Sequence, residues 1–314
     1  MPMARRQRPP RLLVLGDLML DVVLAPARAL APGTDVPGRV QLRQGGSAAN
    51  TARWLARLGA RSTLVTAVGR DREGRALVDA LRRDGVHVRA SRAAGVPTGR
   101  VGVVVDPDGE RSFVADRGAA DRLRPGDLRA SWFSGLDGVH LPVYSLLGDP
   151  LGRAGRRAIA LARASGAPLS LDLSSIGPLM AGGRRQAGAL VRGARPDLLF
   201  ATATEAQALI GRGRPLEDLL SFGPVALVKR GAAGALVLVE HAGHRQRFDV
   251  AAGRVETSDT TGAGDAFDAG ALLVWASAPP ANRRQPALLC RAARAGHRAA
   301  IRQLRGAGAE LVIR

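Results

Sequence analysis

An α/β fold with a mostly parallel central sheet is predicted by three features of this 314-residue sequence. Beyond Arg122, short apolar runs alternate with helical patterns, the rhythm of parallel strands covered by helices. Two earlier stretches, about 20–44 and 96–116, are strand-like, rich in Pro and Gly, and outside that rhythm; they predict a small antiparallel sheet attached to the main one. No internal repeat, low-complexity linker or composition break interrupts the chain, so residues 1–314 are expected to form one domain.

RLLVLG at 11–16 is a short apolar run ending in Gly, a buried first strand. Asp21 to Arg43 is strand-like but broken by Pro26, Pro32 and Pro37. Ser47 to Leu58 reads as a helix with Ser47 as N-cap and Gly59 just past its end. A strand at 62–68, a helix at 72–84 and strands near 96–105 and 111–115 follow, the last two joined by the turn Asp106-Pro107-Asp108-Gly109. The alternating part contains strands at 137–141, 168–172, 197–200 and 224–229, with helices at about 150–164, 183–193 and 203–210. A hairpin at 234–250 precedes helices at 263–276 and about 284–304.

Hydrophobic residues make up 46% of the chain and aromatics 3%, so the core must be built from Ala, Leu and Val. No apolar run approaches the roughly 20 residues that span a bilayer. The basic start MPMARRQRPPR leads into a strand-like segment instead of a signal sequence, and the one cysteine, Cys290, fits a reducing compartment. A cytoplasmic protein without a membrane partner is expected. The net charge of +19 raises nucleic acid as a partner, but the only lysine is Lys229 and the arginines are scattered, with no basic run interleaved with aromatics for base stacking. No nucleic-acid partner is expected.

The most informative segment is DTTGAGDAFDAGALLVWA, residues 259–276. Gly262-Ala263-Gly264 leads directly into a helical pattern, and a small-residue loop at a helix start exposes backbone N–H groups reinforced by the helix dipole. Asp265 sits in the first turn. Its bland reading is a dipole-stabilising acid. Beside an anion cradle it can accept the proton of an attacking hydroxyl while the amides hold developing negative charge. Upstream, Gly45-Gly46-Ser47-Ala48-Ala49-Asn50 opens another helix. Two glycines there let a hydroxylated ligand reach the backbone, and Asn50 offers both donor and acceptor; the alternative is a plain turn and a solvated Asn50. There is no G-x-x-x-x-G-K-[ST], no protein-kinase set and no G-x-G-x-x-G after the first strand, which excludes P-loop, protein-kinase and dinucleotide-binding architectures.

The two segments together resemble the signatures of the ribokinase-like (PfkB) carbohydrate kinase family. Asp259, Thr260, Gly262, Ala263, Gly264, Asp265, Phe267 and Gly270 match its D-T-x-G-A-G-D-x-F-x-x-G. Gly45 to Asn50, Leu58-Gly59-Ala60 and Val68 to Gly74 match its N-terminal signature at the usual spacing. The resemblance implies a ribokinase-like three-layer sandwich with a small β-lid formed by about 20–44 and 96–116. It implies an enzyme that transfers phosphate from ATP, with Mg²⁺, to a hydroxyl, taken as a primary alcohol, of a small sugar or sugar derivative. Asp265 is then the catalytic base and Gly262, Ala263 and Gly264 supply the anion-stabilising amides.

On the sugar side the resemblance implies Asp21, Gly45, Gly46 and Asn50, with Asp17 a weaker candidate. Met19 stands where ribokinase-like members often carry a polar group. On the nucleotide side it implies Lys229, Gly231, Gly234 and His297. Lys229 is a phosphate ligand or a strand-end lysine; His297 lines an adenine pocket or packs between helices. The family's N-x-x-E motif, which organises Mg²⁺ through water, appears as Thr202-Ala203-Thr204-Glu205, so Glu205 is retained while Thr202 replaces Asn. Asp172 matches the acid of a D-x-N-x-R stretch whose partners are replaced by Ser174 and Ile176. Many relatives hold K⁺ in the loop before Gly-Ala-Gly; Asp259 and the backbone of Thr261 are the candidates. Relatives often dimerise through the lid, which makes a homodimer an expectation of the resemblance. A nucleoside kinase of the same family, marked by lid aromatics stacking on a base, and a non-catalytic sugar- or nucleotide-sensing module remain the alternatives. Phe113 is the only aromatic in the lid segments.

Overall fold

The structure, a computed structural model, describes residues 8–106, 111–255, 257 and 259–306. The expected hairpin turn at 106–109 lies largely outside them. In chain order the elements are β1 (Arg11–Leu15), β2 (Met19–Pro26), β3 (Gly38–Gly45), α1 (Ser47–Arg57), β4 (Arg61–Gly69), α2 (Arg72–Arg83), β5 (His87–Ala93), β6 (Arg100–Val105), β7 (Arg111–Asp116) and β8 (Gly138–Pro142). They continue with α3 (Leu151–Ala164), β9 (Leu169–Asp172), α4 (Ile176–Met180), α5 (Gly183–Ala194), β10 (Leu198–Thr202) and α6 (Ala203–Ile210). The last are β11 (Val225–Lys229), β12 (Ala235–His241), β13 (His244–Val250), α7 (Ala263–Ser277) and α8 (Pro286–Leu304).

The main sheet has nine strands in the order β13-β12-β11-β10-β9-β8-β1-β4-β5. It is parallel from β11 to β5, and the β12–β13 hairpin closes one edge antiparallel. Successive side chains of a strand point to opposite faces, and the core divides accordingly. Leu12 and Val14 of β1 pack with α1, α2, α7 and α8, whereas Leu13 and Leu15 pack with α3, α5 and α6. Two helical layers thus cover one sheet. β5 is an element that sequence patterning missed: HVRASRA alternates polar and small residues, because an edge strand is buried on one side only. Its parallel register with β4 runs from Thr63↔His87 to Gly69↔Ala93.

The smaller sheet has the order β3-β2-β6-β7. It is mixed instead of antiparallel throughout, since β2 and β6 pair parallel from Leu20↔Arg100 to Leu24↔Val104. β3 and then β4, β5 and two helices of the main layer separate those strands in the chain, so no tight hairpin forces them to run opposite ways. β6 begins at Arg100, later than the apolar pattern suggests, because Pro97 and Gly99 lead into it. β2 follows β1 after three residues, which sets this sheet over the C-terminal ends of the main strands. Ligand sites of open α/β sheets gather at that end.

Candidate active site

Four main strands deliver polar groups at their C-terminal ends: Asp17 just after β1, Asp172 at the end of β9, Thr202 at the end of β10 and Lys229 at the end of β11. Three helices start beside them. α7 begins after Gly262, whose φ of 71° and ψ of 1° place it in the left-handed region that glycine adopts without strain. Ala263 N–H turns back to the Thr260 carbonyl at 3.2 Å, so this amide of the expected cradle is already used. Among the described residues, the N–H groups of Gly264 and Asp265 have no acceptor. They are first-turn donors at the positive end of a 15-residue helix.

The two sequence signatures meet at Asp265. Ser47 Oγ donates to its Oδ1 at 2.7 Å and Asn50 Nδ2 donates to its Oδ2 at 2.9 Å. Asn50 is itself oriented by Gln44, whose Nε2 donates to Asn50 Oδ1 at 2.8 Å. Ser47 is therefore not the N-cap of α1. That place belongs to Gly46, with φ 99°, and the hydroxyl is turned toward α7. Desolvation pushes the Asp265 carboxyl up to about 7, with the hydrogen bonds from Ser47 and Asn50 working against it. A base of that affinity is matched to proton transfer near neutral pH.

Beside it lies a cavity of about 190 Å³ lined by Asp21, Asn50, Asp259, Thr261 and Gly262, with Val23, Val103 and Val105 of the small sheet on its upper side. Asp21 is also pushed up to about 7, first by burial and then by Asp17 and Asp265, against the pull of Arg43. A Cβ on Gly45 would overlap the Asp21 carboxylate, and one on Gly46 would lie 2.6 Å from the Asp17 carbonyl oxygen. The two glycines make room for these protein groups.

Other expected residues are placed differently. Asp17 is buried under α1, where Oδ1 accepts Ala48 N–H at 3.1 Å and Oδ2 faces Arg117 at 3.4 Å, so it serves the helix start and not the cavity. Thr202 and Glu205 form a reciprocal capping box at the start of α6, with Thr202 N–H to Glu205 Oε2 at 2.7 Å. The spacing Thr-x-x-Glu signals this in sequence. Burial, then the nearby Asp172, raises the Glu205 carboxyl. Lys229 is neither solvated nor open. Its ammonium is clamped by Asp172 at 3.0 Å and by both oxygens of Asp268 at 3.1 and 3.2 Å. Asp268 went unnoticed in the sequence because the signature leaves its position unspecified. Gly231 (φ 58°) and Gly234 (φ 90°) shape the β11–β12 turn, and a Cβ on Gly234 would overlap the Val250 carbonyl. His297 stacks edge-on to Phe267 at 5.1 Å, the helix-packing alternative, and burial lowers its pKa. Asp259 pairs with Arg43 at 3.0 Å and accepts Thr261 N–H at 2.9 Å, while the Thr261 carbonyl accepts Gln303 Nε2 at 2.9 Å.

The arrangement offers a half-buried base, unsatisfied amides at the same helix start and a small polar cavity between them and a second sheet. The sequence matches the pfkB family carbohydrate kinase over residues 9–311. Fructokinase-1 of Oryza sativa subsp. japonica is 30% identical over 268 residues, covering 82% of this chain and 80% of that one. Adenosine kinase from Sinorhizobium meliloti superposes with a TM-score of 0.82 at 25% identity, covering 95% of both chains. Ribokinase from Thermotoga maritima shares the fold, with a TM-score of 0.76 at 20% identity over 97% of this chain and 96% of that one. A match spanning nearly the whole chain, on a shared fold, shows that the protein belongs to the pfkB family of carbohydrate kinases.

Proposed function

We propose that this sugar kinase transfers the γ-phosphoryl group of ATP to a hydroxyl of a small sugar, with Asp265 as the general base. One observation carries the reading: the Asp265 carboxylate, held by Ser47 and Asn50, shares its helix start with two unsatisfied amides beside a sugar-sized cavity. The acceptor hydroxyl takes the place of one of those two donors and gives its proton to Asp265. Its oxygen forms the new P–O bond as the bond to the β-phosphate oxygen breaks, and ADP leaves. The amides of Gly264 and Asp265 offset the charge on the transferred group. Asp21 and Asn50 orient the sugar's other hydroxyls.

Kinases of this family use ATP with a divalent metal, for which Mg²⁺ is proposed here. Among the described residues no three His, Cys, Asp or Glu side chains gather as a metal cage. That fits an ion arriving on the ATP phosphates with most of its water, and Glu205 would meet it through water. The metal neutralises phosphate charge when bound. The monovalent-cation reading fits less well, because the Asp259 carboxylate and the Thr261 carbonyl already have partners in Arg43, Thr261 N–H and Gln303. No step is assigned to K⁺.

The small sheet sends valines, not aromatics, toward the cavity, and Phe113 is 60% exposed on its outer strand. The lid thus offers no ring for a nucleoside's base to stack on, which favours a sugar; Trp54 of α1 is the aromatic in the cavity wall. A cytoplasmic location accords with a chain in which no described helix is long and apolar enough to cross a membrane. The test is ATP turnover across sugars, nucleosides and sugar acids, with Asp265→Asn alongside. The variant is expected to bind sugar and nucleotide but to turn over at least ~10²-fold more slowly, the low end of general-base effects. Undiminished turnover by the variant, or none by the wild type with any sugar, overturns the proposal.

A further inference from the structure

Behind the proposed amides lies a buried charge cluster that phosphoryl transfer as described does not use. Lys229 Nζ reaches to 3.5 Å from the point that a Cβ on Gly264 would occupy. Asp172 holds it from β9 and Asp268 from α7, one turn beyond Asp265. The Asp268 side chain is 1% exposed and that of Asp172 4%. One carboxylate suffices to neutralise one ammonium. A second one, fully buried, costs stability that an apolar residue of similar size would not, and Ala269 and Ala271 show that this part of α7 packs apolar residues readily. The surplus acid is therefore unexplained by folding.

We infer that Asp268 is a positioning residue for the reaction: with Asp172 it fixes the Lys229 ammonium behind Gly264, so that a positive charge backs the first-turn amides of α7. The inference rests on the assignment of Asp265 as base. Two oxygens of Asp268 and one of Asp172 grip the ammonium from opposite elements, sheet and helix, and the ring of Phe200 lies 5.9 Å away. The lysine is left no freedom to swing outward, which preorganises its field instead of making it a direct phosphate ligand.

The charged groups around Asp265 are Asp21 from β2, Asp172 from β9, Lys229 from β11 and Asp268 on α7 itself, with Glu205 of α6 acting on Lys229. Lys229 favours ionised Asp265, whereas burial, Asp172 and Asp265 together push the Asp268 carboxyl well above the usual carboxylate range against the pull of Lys229. Losing the lysine, or the grip that holds it behind Gly264, must therefore move the acid limb of kcat/KM to higher pH.

The experiment compares Asp268→Asn, Lys229→Met, the double variant and Asp265→Asn, with MgATP and the best sugar of the panel. The expected result is an acid limb at higher pH for Lys229→Met and, by a smaller step, for Asp268→Asn, with the double variant no further than Lys229→Met. Each single variant should lose at least about tenfold in kcat, less than the ~10²–10³ of removing a direct donor, with sugar KM nearly unchanged. Asp268→Asn should melt at or above the wild-type temperature. A limb that Asp268→Asn leaves in place or moves to lower pH, or unchanged kcat in a folded Asp268→Asn, overturns the inference while leaving the base intact. Undiminished turnover by Asp265→Asn overturns the base assignment instead. Should Lys229→Met not fold, the limb of Asp268→Asn alone decides: no upward shift refutes the inference.

Discussion

Asp265 and Asp21 share one recess, and each is pushed up to about 7 mainly by desolvation. The proposed transfer needs Asp265 ionised, so kcat/KM is expected to fall as pH drops through about 7, which a pH–rate profile checks. Stability runs the other way. The unfolded carboxyl titrates near 3.8 and the folded Asp21 near 7. The folded state therefore binds more protons between these values, and the stabilisation by protonated Asp21 is full below about 3.8 and lost as pH rises through about 7. Asp21→Asn removes the buried charge. It should raise the melting temperature above pH 7 and leave it unchanged below pH 4, while sugar KM rises. Thermal melts across pH measure the first effect and sugar titrations the second.

Helix starts carry most of the site at the scale of elements, each satisfied in its own way. α1 uses the Asp17 side chain and carbonyl, α6 a capping box, and α7 a left-handed glycine that leaves two donors open. Thr202→Ala removes the α6 cap and should cost about 1 kcal/mol of stability, within the ~0.5–2 kcal/mol range for such caps. Sugar KM should stay unchanged; denaturant unfolding and sugar titration test this. α6 was legible from the strand–helix alternation and matches the expected 203–210, and its Thr-x-x-Glu spacing carries the cap in local sequence. The start of α1 was not, because Ser47 is a good N-cap type by local chemistry. Only its distant partner on α7 reveals why the hydroxyl turns elsewhere.

At the scale of the molecule, large exposed hydrophobics among the described residues concentrate on the small sheet and the loop beside it: Leu30 60%, Val40 68%, Phe113 60% and Val114 74% exposed. Elsewhere the surface is broadly basic, carrying most of a net charge of +19. Like charges keep copies apart everywhere except at such an apolar patch. We propose a homodimer through this sheet. Sedimentation should show a dimer for the wild type and a monomer for the Phe113→Asp, Val114→Asp variant; a monomeric wild type refutes it.

The parallel strands from β8 to β11 and the helix start at 263 were determined by the sequence alone. Periodicity, small residues and first-turn acids are local, and local chemistry reads out along the chain. Tertiary structure decided which groups meet. Asn50 and Asp265 are 215 residues apart, Ser47 and Asp265 218, and Lys229 and Asp172 57. Gly45 is explained by the carboxylate of Asp21, and the Lys229 clamp by an aspartate at an unspecified position. Such contacts depend on how two sheets and their helices converge in space. The free energy that selects a partner for a buried charge is set by that convergence, and no segment of chain carries it by itself.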